Sequence, residues 1–155
     1  MILVSACLAG ILCKYNGTYN DVPEIMELVR KGLAIPVCPE IMGGGRVPRE
    51  PNEIVGGQGQ DVLNGNARVM TASGVDCTEM FVWGAEKVLE VAKGNRIQVA
   101  ILKERSPSCG SQVIYDGTFC GRKIDGSGVT AAILQKYGIQ VFSEENFREI
   151  LQPNL

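Results

Sequence analysis

Three short apolar runs, Ile2-Leu3-Val4, Ala34-Ile35-Pro36-Val37 and Val99-Ala100-Ile101-Leu102, constrain this chain more than any other feature, because each is too short for a buried helix and is followed by a cysteine. Segments of helical periodicity separate the runs, and a chain that alternates buried strands with helices is solved by a mainly parallel sheet with helices on both faces. Such folds gather the carboxyl ends of their strands on one rim, where ligands bind. Cys7, Cys38 and Cys109 follow the three runs and are therefore placed near one another on that rim. The expected architecture is a three-layer α/β/α sandwich with a Rossmann-like sheet.

The elements follow from local signals. The first strand covers about Met1 to Ser5 and leads into a turn-rich loop ending near Tyr15-Asn16-Gly17. A helix is expected from Pro23 to Lys31, with Asp21 as its cap, Pro23 in its first turn and Gly32 as its stop. A strong helix spans about Thr78 to Lys93, and its apolar spacing places Trp83 in the core. A strand at 97–102, a helix at 129–136 and a strand at 139–142 follow, and Ser143 is set to cap a closing helix at 144–151. A further short strand is expected at 67–70. Between Gly43 and Gly65 the chain is rich in glycine and holds Pro48 and Pro51, which predicts one long functional loop in a single domain of residues 1–155.

Composition narrows the chemistry. The 155 residues are 45% hydrophobic and 21% charged, with 15 basic side chains and a formal charge of −2, so there is no basic stripe for a nucleic-acid polymer. The amino-terminal apolar run lacks a basic leader and is broken by Ser5, Cys7 and Gly10, which places the protein in the cytoplasm without a membrane span. In a reducing compartment the six cysteines are free thiols: buried small hydrophobes, redox groups or metal ligands. Histidine is absent, which removes the commonest neutral-pH base and the commonest nitrogen ligand. A soft-metal site here has only thiolates to use, and zinc and iron–sulfur clusters are the usual occupants of such sites. No C-x₂-C pair is present to decide between them.

The segment Lys103-Glu104-Arg105-Ser106-Pro107-Ser108-Cys109-Gly110-Ser111 is the densest in functional groups. Lys103 and Ser108 are candidate substrate contacts, as are Arg46 and Arg49 in the Gly/Pro-rich loop, which suit an anionic or carbonyl-bearing ligand. Cys13 is a candidate fourth ligand or sulfur acceptor, whereas Cys77 and Cys120 are taken as structural.

Four motifs then acquire a family. Ser5-Ala6-Cys7-Leu8-x-Gly10-x-x-Cys13-x-Tyr15-x-Gly17, Cys38-Pro39-Glu40, Gly59-x-Asp61-Val62-Leu63-x-Gly65-x-Ala67-Arg68-Val69 and Leu102-Lys103-Glu104-Arg105-Ser106-Pro107-Ser108-Cys109-Gly110 together resemble the DUF523 family, which includes the thiouracil desulfurases. The likeness continues through Ile114-Tyr115-Asp116-Gly117-Thr118-Phe119 and Gly126-x-Gly128-Val129-Thr130-Ala131. It implies a [4Fe-4S] cluster held by Cys7, Cys38 and Cys109, with one iron open to sulfur. It implies catalytic roles for Glu40 and Ser106, and as substrate a small thiolated nucleobase such as 2-thiouracil, converted to the oxo form without net electron transfer. The stretch Pro48-Arg49-Glu50-Pro51 departs from the smaller, more proline-rich sequence of relatives. Two other functions compete: a structural or redox-sensing metal-binding module, and a thiol sulfur carrier acting through Cys13.

Overall fold

The computed structural model describes residues 1–17 and 20–151, so positions 18–19 and 152–155 of the expected domain lie outside the described residues. In chain order the elements are β1 (Ile2–Ser5), a single 3-10 turn (Ala6–Ala9), α1 (Pro23–Arg30), β2 (Ala34–Val37), α2 (Pro39–Met42), β3 (Asn52–Val55), α3 (Gly59–Leu63), β4 (Arg68–Thr71), α4 (Thr78–Gly94), β5 (Val99–Leu102), β6 (Val113–Tyr115), β7 (Lys123–Asp125), α5 (Val129–Lys136), β8 (Gln140–Ser143) and α6 (Arg148–Leu151).

Four strands form one parallel sheet in the order β2-β1-β5-β8, with Leu3 opposite Ile35 and Ala100, and Leu102 opposite Ser143. Side-chain alternation along the strands assigns the two faces. Leu3, Ala100 and Leu102 enter a core shared with Phe81, Ala85 and Val88 of α4 and with Val129 and Leu134 of α5. Val4 and Ile101 point the other way, against Ile25 of α1 and Phe147 ahead of α6. Both faces are therefore buried, and the expected three-layer sandwich with a parallel sheet is the fold observed. No helix among the described residues is long and apolar enough to cross a membrane.

Several expectations need correction. The Gly/Pro-rich stretch 43–65 is not one loop: β3 pairs antiparallel with β4 from Asn52↔Thr71 to Val55↔Arg68, and α3 occupies Gly59–Leu63. The strand expected at 67–70 thus belongs to a hairpin outside the main sheet. Trp83 is 56% exposed, with Lys87 Nζ 4.1 Å from its ring centroid. The buried face of α4 runs through Phe81, Gly84, Ala85, Val88, Leu89 and Ala92, and Trp83 falls beside it. Asp21 does not cap α1, whose N-cap is Val22 without a side-chain bond. Ser143 Oγ does accept Glu145 N–H, at 3.1 Å, but residues 144–147 form turns and α6 begins only at Arg148. Cys120 is exposed and bonded to Thr118 O in the turn of the β6–β7 hairpin, not held in the core.

Two backbone contacts seat the rim loops. A Cβ on Gly84 of α4 would lie 2.0 Å from Pro39 O, and one on Gly43 would lie 2.1 Å from Met80 O, so α2 rests on α4 backbone to backbone. This fixes the turn carrying Cys38 and Glu40. On the other side the first free amides of α5 are taken by the loop after β5: Gly128 N–H donates to Gly110 O, Val129 N–H to Pro107 O, and Thr130 and Ala131 N–H to Ser108 O. A Cβ on Gly128 would lie 2.5 Å from the Ser108 carbonyl carbon, so no larger residue fits without displacing that loop.

A candidate thiol-lined active site

The carboxyl ends of β1, β2 and β5 open into one cavity of about 360 Å³. Its walls bring together Cys7 from the 3-10 turn after β1, Cys13 from the following loop, Cys38 and Glu40 from the β2–α2 junction, Arg49 from the stretch before β3, and Lys103, Ser106, Ser108 and Cys109 from the loop after β5. Tyr15 and Tyr115 complete its edge. Arg46 is exposed and is not among the lining residues. Cys77 lies at the start of α4, away from the cavity wall.

Cys7, Cys13 and Cys109 are buried and Cys38 is partly so, and none of the six thiols is paired in a disulfide. Cys38 Sγ donates to Cys13 O at 3.8 Å. The side-chain hydrogen bond with the Cys13 thiol pushes the Cys38 thiol far up, and burial adds to it. The Cys38 hydrogen bond pulls Cys13 down, but the hydrogen bond with Cys7, burial and the Cys7 charge outweigh it and leave Cys13 at about 11. Burial raises Cys109 to about 12 against the opposing hydrogen bonds of Ser5 and Ser108. These thiols are held protonated by one another's company and by burial, and a cationic metal group is what converts such a set to thiolates.

The loop after β5 is organised by hydroxyls. Ser106 Oγ accepts Ser108 N–H at 3.1 Å and Cys109 N–H at 3.0 Å, which fills both of its acceptor positions. Its proton is then the one shared with Ser108 Oγ, 3.0 Å away, and Ser108 in turn donates to Cys109 Sγ at 3.6 Å. The hydroxyl chain runs Ser106 to Ser108 to the sulfur. Ser108 is fully buried at the cavity wall, with its hydroxyl on the Cys109 sulfur. Ser5, at the end of β1, accepts Lys103 N–H at 2.9 Å and is the second hydroxyl on Cys109.

Charged groups hold the walls. Arg49 Nε meets Glu40 Oε1 at 3.3 Å, while its two amino groups donate to Arg46 O at 2.9 Å and Cys13 O at 3.0 Å. Its side chain is only 9% exposed, and three of its five N–H groups are bonded to the protein itself. Lys103 Nζ is held by Glu144 Oε2 at 2.9 Å and Glu104 O at 2.8 Å. Glu104 and Ser5 stand inside the motifs quoted above, but the motifs alone give neither a role. Glu104 is 2% exposed and collects five donors. Nothing in a charged Lys-Glu-Arg triplet distinguishes a buried anion from a solvated one; only the loop's return past Ser111 reveals it.

The donor set discriminates between kinds of resident metal group. Zinc needs its ligands about 2.3 Å from one point, and among the described residues no three Cys, Asp or Glu side chains converge that way. The thiols instead line the walls of a cavity, sulfur without nitrogen, which suits a polynuclear iron–sulfur group.

The protein is a parallel α/β sandwich with a thiol-walled pocket at its strand ends. Residues 2–146 match the 2-thiouracil desulfurase family. The chain belongs to that family. It is 54% identical over 151 residues to the uncharacterized protein YbbK of Bacillus subtilis (strain 168), covering 97% of this chain and 100% of that one. It is also similar to the solved structure of TudS, a [4Fe-4S]-dependent thiouracil desulfidase of the DUF523 group, with a TM-score of 0.86, 41% identity, and 98% of this chain and 95% of the other covered.

Proposed function

We propose that this protein hydrolyses the thiocarbonyl of a small thiolated pyrimidine such as 2-thiouracil, using a [4Fe-4S] cluster held by Cys7, Cys38 and Cys109. The observation that carries the reading is the convergence of these thiols with Glu40 on one cavity that has no histidine. The balance is one thiouracil and one water giving one uracil and one hydrogen sulfide, with no electrons gained or lost. A cluster held there would supply Lewis acidity toward the thiocarbonyl sulfur.

The chain's own residues do the rest. Glu40 takes a proton from the water that adds to carbon, and its Oε2 is the free oxygen for this because Oε1 faces Arg49. Arg49 fixes the direction of that carboxylate, three of its five N–H groups being bonded to Glu40, Arg46 O and Cys13 O. Ser106 and Ser108 act on Cys109, the first by folding the loop and the second by donating to sulfur. Tyr15 and Tyr115 line the cavity and supply aromatic rings, the side-chain type on which a planar base stacks. Cys13 remains a thiol beside the ligands; transferring sulfur to it as a persulfide would demand an oxidant that this reaction does not supply.

The test is anaerobic reconstitution with iron and sulfide, followed by assay on 2-thiouracil. The wild-type chain is expected to turn brown and release uracil and sulfide in equal amounts, and Cys38→Ala and Cys109→Ala to lose both colour and turnover. Iron uptake without turnover on any thiolated base would favour a binding module instead.

A further inference from the structure

The loop after β5 leaves the sheet at Leu102 and returns into β6 at Val113, and one buried side chain sits at the centre of the circuit. Glu104 Oε1 accepts backbone N–H of Ser111 at 2.9 Å, Gln112 at 3.0 Å, Val113 at 3.1 Å and Arg105 at 3.4 Å, and Oε2 accepts Ser111 Oγ at 3.0 Å. Among the described residues no lysine or arginine pairs with this carboxylate, because Lys103 Nζ is turned to Glu104 O and to Glu144, and Arg105 to Glu145. A carboxylate buried without a counter-ion is tolerated only where donors surround it, and here the donors are the loop that carries Cys109. Glu104 N–H is itself fixed by Glu144 Oε1 at 2.8 Å, so the hub is tied to the segment after β8.

We infer that Glu104 is the positioning residue of Cys109: it draws residues 105–113 around its carboxylate so that the thiol stands in place before any metal group arrives. The inference rests on Cys109 being a cluster ligand. Its consequence is that this part of the site is built by the polypeptide and not by the metal. Glu104→Ala removes all five acceptor contacts and leaves the amides of 111–113 unpaired. Glu104→Gln keeps a carbonyl oxygen for the backbone donors and turns its NH₂ toward Ser111 Oγ, which is free to accept. The conservative variant should therefore rescue what alanine loses.

The experiment compares wild type, Glu104→Ala and Glu104→Gln as full-length chains. In the metal-free proteins, amide hydrogen exchange at residues 109–113 should quicken by more than about tenfold in the alanine variant while the β5 amides stay protected, and the glutamine variant should lie near wild type. After anaerobic reconstitution, the alanine variant should bind less than about half the iron of wild type, and the bound fraction should show a shifted absorption spectrum and reduction potential. A purely structural role moves stability but not the spectrum and potential of the metal that does bind. An alanine variant with wild-type exchange, iron content and potential overturns the inference alone. Wild type that takes up no iron overturns the proposed function and this inference with it. If alanine prevents folding, the glutamine variant carries the test: near-wild-type exchange and potential support the positioning role, and loss equal to that of Cys109→Ser overturns it.

Discussion

The two sides of the cavity are built on opposite electrostatic plans. On the Cys109 side a buried anion, Glu104, gathers backbone N–H groups. On the side of Cys7, Cys13 and Cys38 a partly buried cation, Arg49, gathers carbonyls and one carboxylate. The first hub draws all its loop contacts from a span of nine residues, so it organises one limb. Arg49 reaches Cys13 O and Glu40, and its own N–H donates to Tyr15 O at 2.6 Å, so it ties together two limbs distant in sequence. The difference teaches that the ligand loops are shaped by ions that need not touch the substrate at all. It also separates preformed geometry from geometry that depends on a tie between loops.

The largest expected effects come from breaking the seats on which each side stands. Gly84→Ala forces a Cβ into Pro39 O and displaces the Cys38 side, whereas Gly128→Ala forces one into the Ser108 carbonyl and displaces the Cys109 side. Each should cost about 3 kcal/mol by urea unfolding, near the top of the range for overpacking. Both should reduce iron uptake.

Next is Arg49. Arg49→Met leaves Glu40 without its partner and frees the Cys13 carbonyl, and because the pair is partly solvated the loss should be about 2 kcal/mol, below that of a fully buried pair. Arg49→Lys keeps the charge but not the fork and should lose about half as much. A sharper split would appear in kinetics: Arg49→Lys should lower kcat more than it raises KM if the arginine acts by orienting Glu40, and a larger effect on KM would make it a substrate contact.

Acid distinguishes the two hubs. Burial acts to raise the Glu104 carboxyl, but the amides of Gln112 and Val113, the Ser111 hydroxyl and the Arg105 amide outweigh it and hold it below the usual carboxylate value. A lowered value in the folded state means stabilisation that is complete above the ordinary carboxylate range and lost as pH falls through the folded value. Denaturant titrations of the metal-free protein between neutral and acid pH should therefore show a steeper loss for wild type than for Glu104→Gln. Equal slopes would assign the acid sensitivity to other carboxylates. The smallest effect is Ser108→Ala, which removes one hydroxyl from the Cys109 sulfur and should cost about 1 kcal/mol. After loading, it should also shift the reduction potential without changing iron content.

The sandwich was legible because β1, β2 and β5 are short runs bounded by turns, with helices of clear period between them. The β3–β4 hairpin was hidden by its neighbours: Asn52-Glu53-Ile54-Val55 lies between Pro51 and the Gly56-Gly57 pair and reads as loop until Thr71 to Arg68 is found beside it. The β7 strand has no buried residue at all, so no pattern could announce it. Trp83 was misplaced because helical spacing gives a face to within one neighbour, and the contact that chooses the face is Gly84 against Pro39. At the site, cysteines are few and chemically distinct, so their positions at strand ends were readable. Arg49 was readable as important but not as an internal tie. Glu104 was invisible, because a buried anion and a surface one are the same letter until the amides around it are located.

The most direct test of the central claim is an oxygen-tracing turnover. Anaerobically loaded protein, given 2-thiouracil in ¹⁸O-labelled water without any reductant, should yield uracil carrying one labelled oxygen and one sulfide per uracil. Full turnover by the iron-free chain, or a requirement for added electrons, would contradict it.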